Sequence, residues 1–128
     1  MRSEKGSSKE FGSGRIELSV LVNKRCVPCD GNTSPMSRED AQKYLKEIPG
    51  WALTGDSIVR EFRFRSYLKG LEFSYSLGKV AEEQGHHPDI LIGWRRVRVT
   101  LTTHDIKGLS ENDFIMAAKA EKIFKESG

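Results

Sequence analysis

The stretch from His86 to His104, HHPDILIGWRRVRVTLTTH, limits the fold more than any other part of the 128-residue chain. Ile90, Ile92 and Trp94 occupy every second position before the Arg95-Arg96 pair, and Val97, Val99 and Leu101 every second position after it. A period of two belongs to a half-buried β-strand, whose side chains point to opposite faces in turn. Turning the chain back between Arg95 and Arg96 predicts antiparallel partners whose numbers sum to 191. Ile90 then faces Leu101, Ile92 faces Val99 and Trp94 faces Val97, while Asp89, Arg98, Thr100 and Thr102 go to the other side. A slip of one residue mixes the two sets. Arg-Arg makes a poor two-residue turn, where Gly or Asn is preferred, but a four-residue loop over Trp94 to Val97 keeps the same centre.

This register places His87 opposite His104, with His86 next to it in the chain, so all three histidines are expected at one end of the hairpin. Imidazole titrates near neutral pH, and a cluster can hold one ring as acid and another as base. Pro88 biases His87 toward an extended conformation and removes one backbone donor. Metal binding is the rival. His86 and His87 point to opposite sides of an extended chain, and neither H-x-H nor H-E-x-x-H spacing occurs. In Cys26-Val-Pro-Cys29 the two thiols are a weak candidate zinc pair, since no second CxxC follows, and reduced surface thiols are the plainer reading.

The punctuation around the hairpin sets the fold class. Ser37-Arg-Glu-Asp40 resembles a capping box and opens a helix to about Glu47, stopped by Pro49-Gly50. Two short strands follow between Trp51 and Arg65, around Thr54-Gly55-Asp56. Leu68, Leu71 and Tyr75 have helical spacing within Tyr67 to Gln84, and Gly85 is a natural stop. A last helix begins at Ser110-Glu-Asn-Asp113 and carries Phe114, Ala117, Ala118, Glu121 and Phe124 along one side. The order α-β-β-α-β-β-α predicts an α+β fold, a four-stranded antiparallel sheet with about three helices on one face.

Residues 1–24 read as a flexible or weakly ordered extension, and residues 25–128 as one domain. Its first fourteen residues are rich in Ser, Gly and charge, and Ile16 to Val22 alternates weakly like a strand. The whole chain has 21 basic and 18 acidic side chains, a formal +3, of which residues 1–24 carry +2. The near-neutral remainder does not suggest a polyanion partner. Two cysteines three apart are no disulfide framework, and the apolar runs fall far short of the roughly 20 residues of a membrane span. A cytoplasmic protein is the expectation, with an organellar address in the extension left open.

Glu82-x3-His86-His87-Pro88, Trp94, Thr103-His104 and Gly108-Leu109-Ser110-x2-Asp113 together resemble the pterin-4a-carbinolamine dehydratases, as does Pro49-Gly50-Trp51. The resemblance covers about residues 34–124, and the Cys26–Cys29 lead-in is similar to that of some microbial and plant members. It implies a homodimer or homotetramer that dehydrates 4a-hydroxytetrahydrobiopterin to quinonoid dihydropterin without metal or cofactor, beside aromatic amino acid hydroxylases. It carries over His86, His87 and His104 as catalytic positions and Asp113 as an active-site position, with Glu82 nearby. Glu82, Pro88, Thr103, Asp105 and Asp113 are the candidate substrate-binding residues. His86 and His104 are expected as the acid–base pair, with His87 orienting the pterin. Asp113 is open between a helix cap, a partner of His104 and an acceptor from the pterin. Thr103 is open between substrate contact and strand former.

Two other classes stand beside this one. Some members of the family act as dimerisation cofactors for a transcription factor, so a pterin-binding interaction protein without turnover is the alternative. Nucleic-acid binding through Arg95, Arg96 and Arg98 is disfavoured, because the expected register turns Trp94 to the apolar face and Arg98 away from it.

Overall fold

A computed structural model describes residues 16–28 and 31–127. It contains helices α1 (Leu18–Asn23), α2 (Arg38–Leu45), α3 (Tyr67–Gln84) and α4 (Glu111–Glu126), with strands β1 (Ala52–Thr54), β2 (Ser57–Arg63), β3 (Asp89–Gly93) and β4 (Arg96–Leu101). From α2 onward the order is the expected one, and the architecture is α+β. Local chemistry sets the boundaries. Ser37 Oγ accepts from the Asp40 amide at 3.1 Å, and Ser66 Oγ from the Lys69 amide at 3.2 Å, each filling one orphan donor of a first helical turn. Gly85 ends α3 in the left-handed region, at φ 68°, where a Cβ is disfavoured.

The antiparallel sheet has the order β1-β2-β4-β3, which leaves β3 at an edge. Ile58, Phe62, Val97, Val99 and Leu101 line its inner face and are buried. Phe73, Leu77 and Ala81 of α3 and Phe114, Ala117 and Ala118 of α4 cover that face. The Phe62 ring lies 4.7 Å from that of Phe73 and 5.0 Å from that of Phe124. Burying each such side chain contributes roughly 1.5–3 kcal/mol. Gly70 permits the close approach of α3, because a Cβ there would lie 3.3 Å from Val97 Cγ2.

The hairpin register differs from the expected one. Asp89 pairs with Thr100, Ile90 with Val99, Ile92 with Val97 and Gly93 with Arg96, so partners sum to 189 rather than 191. The turn is the two residues Trp94 and Arg95, and Arg95 adopts a positive φ of 63°. A change of two in the sum leaves every side chain on its face, so alternation alone does not distinguish the two registers. Trp94 is therefore not paired with Val97. It sits in the turn, 74% exposed, with the Arg95 guanidinium 5.1 Å from its ring centre. Trp94 is thus not turned to the apolar face, where the expected register put it.

The expected strand at Ile16 to Val22 is also corrected, to helix. Residues 18–23 form α1, which lies on α4 with Leu21 buried at 2% exposure. Lys119 Nζ of α4 donates to the Val22 carbonyl at 2.8 Å, and Lys24 Nζ lies 3.0 Å from Glu111 Oε2. Leu18, Leu21 and Val22 follow helical spacing and meet the core there. Residues 1–15 of the extension lie outside the described residues.

Candidate functional site

Three chain segments meet where α3 ends, β4 ends and α4 begins. The left-handed Gly85 turns the chain sharply after Gln84, and its amide still bonds back to the Ala81 carbonyl at 2.9 Å. His86 thereby leaves the helix axis and points to the first turn of α4. Its Nε2 lies 2.6 Å from Asp113 Oδ1, with 11% of the histidine side chain and none of the aspartate side chain exposed. The second carboxylate oxygen, Oδ2, accepts from Thr103 Oγ1 at 2.8 Å and from the Ser110 amide at 2.9 Å. Thr103 Oγ1 also lies 2.8 Å from Ser110 Oγ.

A fully buried carboxylate is tolerated when its lone pairs are filled, preferably by charge-assisted bonds. Asp113 has three such partners and stands in the first turn of α4, where the helix dipole favours negative charge. The open reading of Asp113 thus resolves into two roles at once. One oxygen closes the helix start, and the other holds a histidine. That histidine is His86, not His104. That bond occupies Nε2 and leaves Nδ1 as the second ring nitrogen of His86.

His87 makes a different pair. Its Nε2 bonds Glu82 Oε2, with 58% of the histidine side chain and 78% of the glutamate side chain exposed. Pro88 is half-buried and leads into β3. His104 opens a short 3-10 turn, His104–Ile106, and both His104 and Asp105 are exposed there. The β3–β4 ladder ends at Asp89–Thr100 with a pairing sum of 189, so His86 and His87 lie outside it and the sum of 191 that set His87 opposite His104 does not hold. The expected facing of His87 and His104 is therefore corrected. What joins the two ends of the hairpin is Asp113, which bonds His86 from one and Thr103, the neighbour of His104, from the other.

From the sequence Ser110 is expected only as a helix cap. The signal for more was the capping-box aspartate itself, because a carboxylate has two oxygens and capping occupies one of them. Of the candidate thiol pair, Cys26 is half-buried with its Sγ 3.7 Å from the Asn112 carbonyl oxygen. Cys29 lies outside the described residues. Among the described residues no three His, Cys, Asp or Glu side chains group as a metal would require, and no helix is long and apolar enough to cross a membrane.

With this geometry in place, the comparisons with known proteins agree. Residues 34–123 match the family model for pterin 4 alpha carbinolamine dehydratase. The chain belongs to that family. A Rubrobacter xylanophilus protein is 42% identical over 107 residues, covering 83% of this chain and all of that protein. An Azoarcus sp. protein is 45% identical over 108 residues, covering 83% of this chain and 92% of its own length. Both carry the family's name provisionally, as pterin-4-alpha-carbinolamine dehydratases. A crystal structure from Brucella melitensis, described as a transcriptional coactivator/pterin dehydratase, is 29% identical with a TM-score of 0.68, covering 70% of this chain and 98% of the other. The family-model match includes His86, His87, His104 and Asp113, and it begins after the Cys26–Cys29 segment.

Proposed function

We propose that this chain dehydrates 4a-hydroxytetrahydrobiopterin to quinonoid dihydropterin, serving pterin recycling. The observation that carries the reading is the buried His86–Asp113 pair, with His87 and His104 exposed, in a member of this family. The reaction breaks the C4a–O bond. One group gives a proton to the departing hydroxyl, which leaves as water. Another takes a proton from the ring nitrogen, and the freed electron pair closes the C=N bond. His86, oriented by Asp113, and His104 are the proposed acid–base pair, while His87 orients the pterin with Glu82 behind it. Thr103 supports Asp113, and Pro88 and Asp105 are the further proposed substrate contacts. The working form is a homodimer or homotetramer.

Positioned acid–base groups contribute about 10²–10⁴-fold in rate. Purified His86→Ala and His104→Ala chains are each expected to lose dehydration by about that factor, with unchanged oligomeric state by sedimentation. Full turnover in either variant removes that histidine from the reaction.

A second reading has its own observation. Tyr67, Leu68 and Tyr75 of α3 are 49%, 65% and 70% exposed, an apolar stripe on the outer helix face. The Brucella relative is described as a transcriptional coactivator as well as a pterin dehydratase. A protein-binding role through α3 predicts that Leu68→Glu abolishes partner capture and leaves pterin turnover intact.

A further inference from the structure

The Cys26-Val-Pro-Cys29 segment has no part in the reaction above, yet two of its residues are tied to the ends of the helices that build the site. The Cys26 amide donates to Gln84 Oε1 at 2.8 Å. The Val27 amide donates to Asn112 Oδ1 at 3.0 Å, and the Val27 carbonyl accepts from Asn112 Nδ2 at 2.5 Å. An amide side chain paired with both polar groups of one peptide residue fixes that residue in position and orientation. Asn112 is only 5% exposed, so these bonds are poorly replaced by water.

The partners matter because of what stands beside them. Gln84 is the last residue of α3, two before His86, and Asn112 immediately precedes Asp113. Cys26 and Val27 therefore bridge the two helix ends whose approach gives the 2.6 Å His86–Asp113 pair. A merely structural account would have these bonds fasten the N-terminal extension. That task is already met by the buried Leu21, the Lys119–Val22 bond and the Lys24–Glu111 pair, all directed at α4 or the core around it. The bond from the Cys26 amide is different in kind, since it reaches α3. Helices α3 and α4 are also in direct contact, and where α3 is ended by Gly85 the two helix ends are joined by the His86–Asp113 pair and by this bridge.

We propose that Cys26 and Val27 form a clamp that sets the geometry of the His86–Asp113 pair, with Gln84 and Asn112 as positioning residues. None of the four acts on the substrate. Their effect passes through the histidine, whose placement the chemistry depends on; displacing a reacting group by about 1 Å is enough to lower a rate some 10²-fold. The inference rests on the proposed dehydration only for its kinetic readout.

Gln84→Met tests it, because methionine keeps the length and shape of the side chain and removes the acceptor oxygen. The primary readout is the His86 ring N–H proton by NMR, which a bond to a buried carboxylate moves downfield and protects from exchange with water. Gln84→Met is expected to lose that protection with its fold intact by circular dichroism, and Gln84→Glu, which restores an acceptor, to regain it. In turnover, kcat falls about tenfold in Gln84→Met while KM is held. An equally protected resonance in Gln84→Met overturns the clamp, and so does a loss that Gln84→Glu does not reverse. Should the native chain show no dehydration, the proposed function fails while the resonance still decides the clamp.

Discussion

His86 and His87 are adjacent in the chain, and each bonds a carboxylate through Nε2, yet the two pairs live in different solvents. The His86–Asp113 pair is 11% and 0% exposed, and its carboxylate has two further donors. The His87–Glu82 pair is 58% and 78% exposed. Water screens the outer pair and competes for its bond, which brings its worth to about 0–1 kcal/mol. The inner pair has no such competition, and removing one member leaves the others buried and unsatisfied. Identical groups one residue apart thus divide into a buried, fixed pair and an exposed, adaptable one.

The largest expected effects break the inner pair. Asp113→Ala takes the carboxylate from His86, Thr103 and the Ser110 amide together, Thr103 keeping Ser110 Oγ. Each unsatisfied group costs about 1–3 kcal/mol, so chemical denaturation is expected to show a loss of several kcal/mol, and turnover a loss of about 10²–10⁴-fold. Glu82→Ala is expected to change stability by less than about 1 kcal/mol. Equal losses in the two variants would erase the distinction between the pairs.

Next come the rings themselves. His87→Ala is expected to raise KM several-fold with kcat largely held, as an orienting contact does, whereas His86→Ala lowers kcat. Steady-state kinetics on both chains would reverse the assignment if the split ran the other way. Thr103→Val is milder than either. It removes one of three partners of Asp113 while keeping shape, and is expected to destabilise by about 1–2 kcal/mol.

Much of the fold is legible in the sequence. The caps at Ser37 and Ser110, the Gly85 stop and the period-two runs at residues 90–101 all express local rules, and each element appears where those rules put it. The partner of each histidine was not legible. The alternation rule is blind to a two-residue shift, and Trp94-Arg95 turns without the usual Gly or Asn because Arg95 itself takes the positive φ. Once the register moves, the pairing that set His104 opposite His87 is lost, and it is the fold that brings Asp113 to His86. The helix at Leu18–Asn23 was hidden for a related reason. Six residues with two polar members give too short a window to separate helical from strand period, and it is the surface of α4 that decides.

Tyr44 and Glu111 extend the comparison to a pair of middle exposure. Tyr44 Oη donates to Glu111 Oε2 at 2.9 Å. Burial first, and then the Glu111 hydrogen bond and charge, raise the phenol well above its ordinary value. In the unfolded chain the same phenol ionises at about pH 10. The folded state therefore keeps a proton that the unfolded state releases, and stability falls as pH climbs past 10. Below that pH the contribution is fully present. Tyr44→Phe removes both the bond and the titration. Its deficit against the native chain is expected to be about 1 kcal/mol at pH 8 and to shrink toward zero by pH 11, read as the difference between paired urea titrations. Taking the difference cancels the lysines and other tyrosines that titrate in both chains. A deficit that stays constant with pH would put Tyr44 with His87, among the contacts that water already screens.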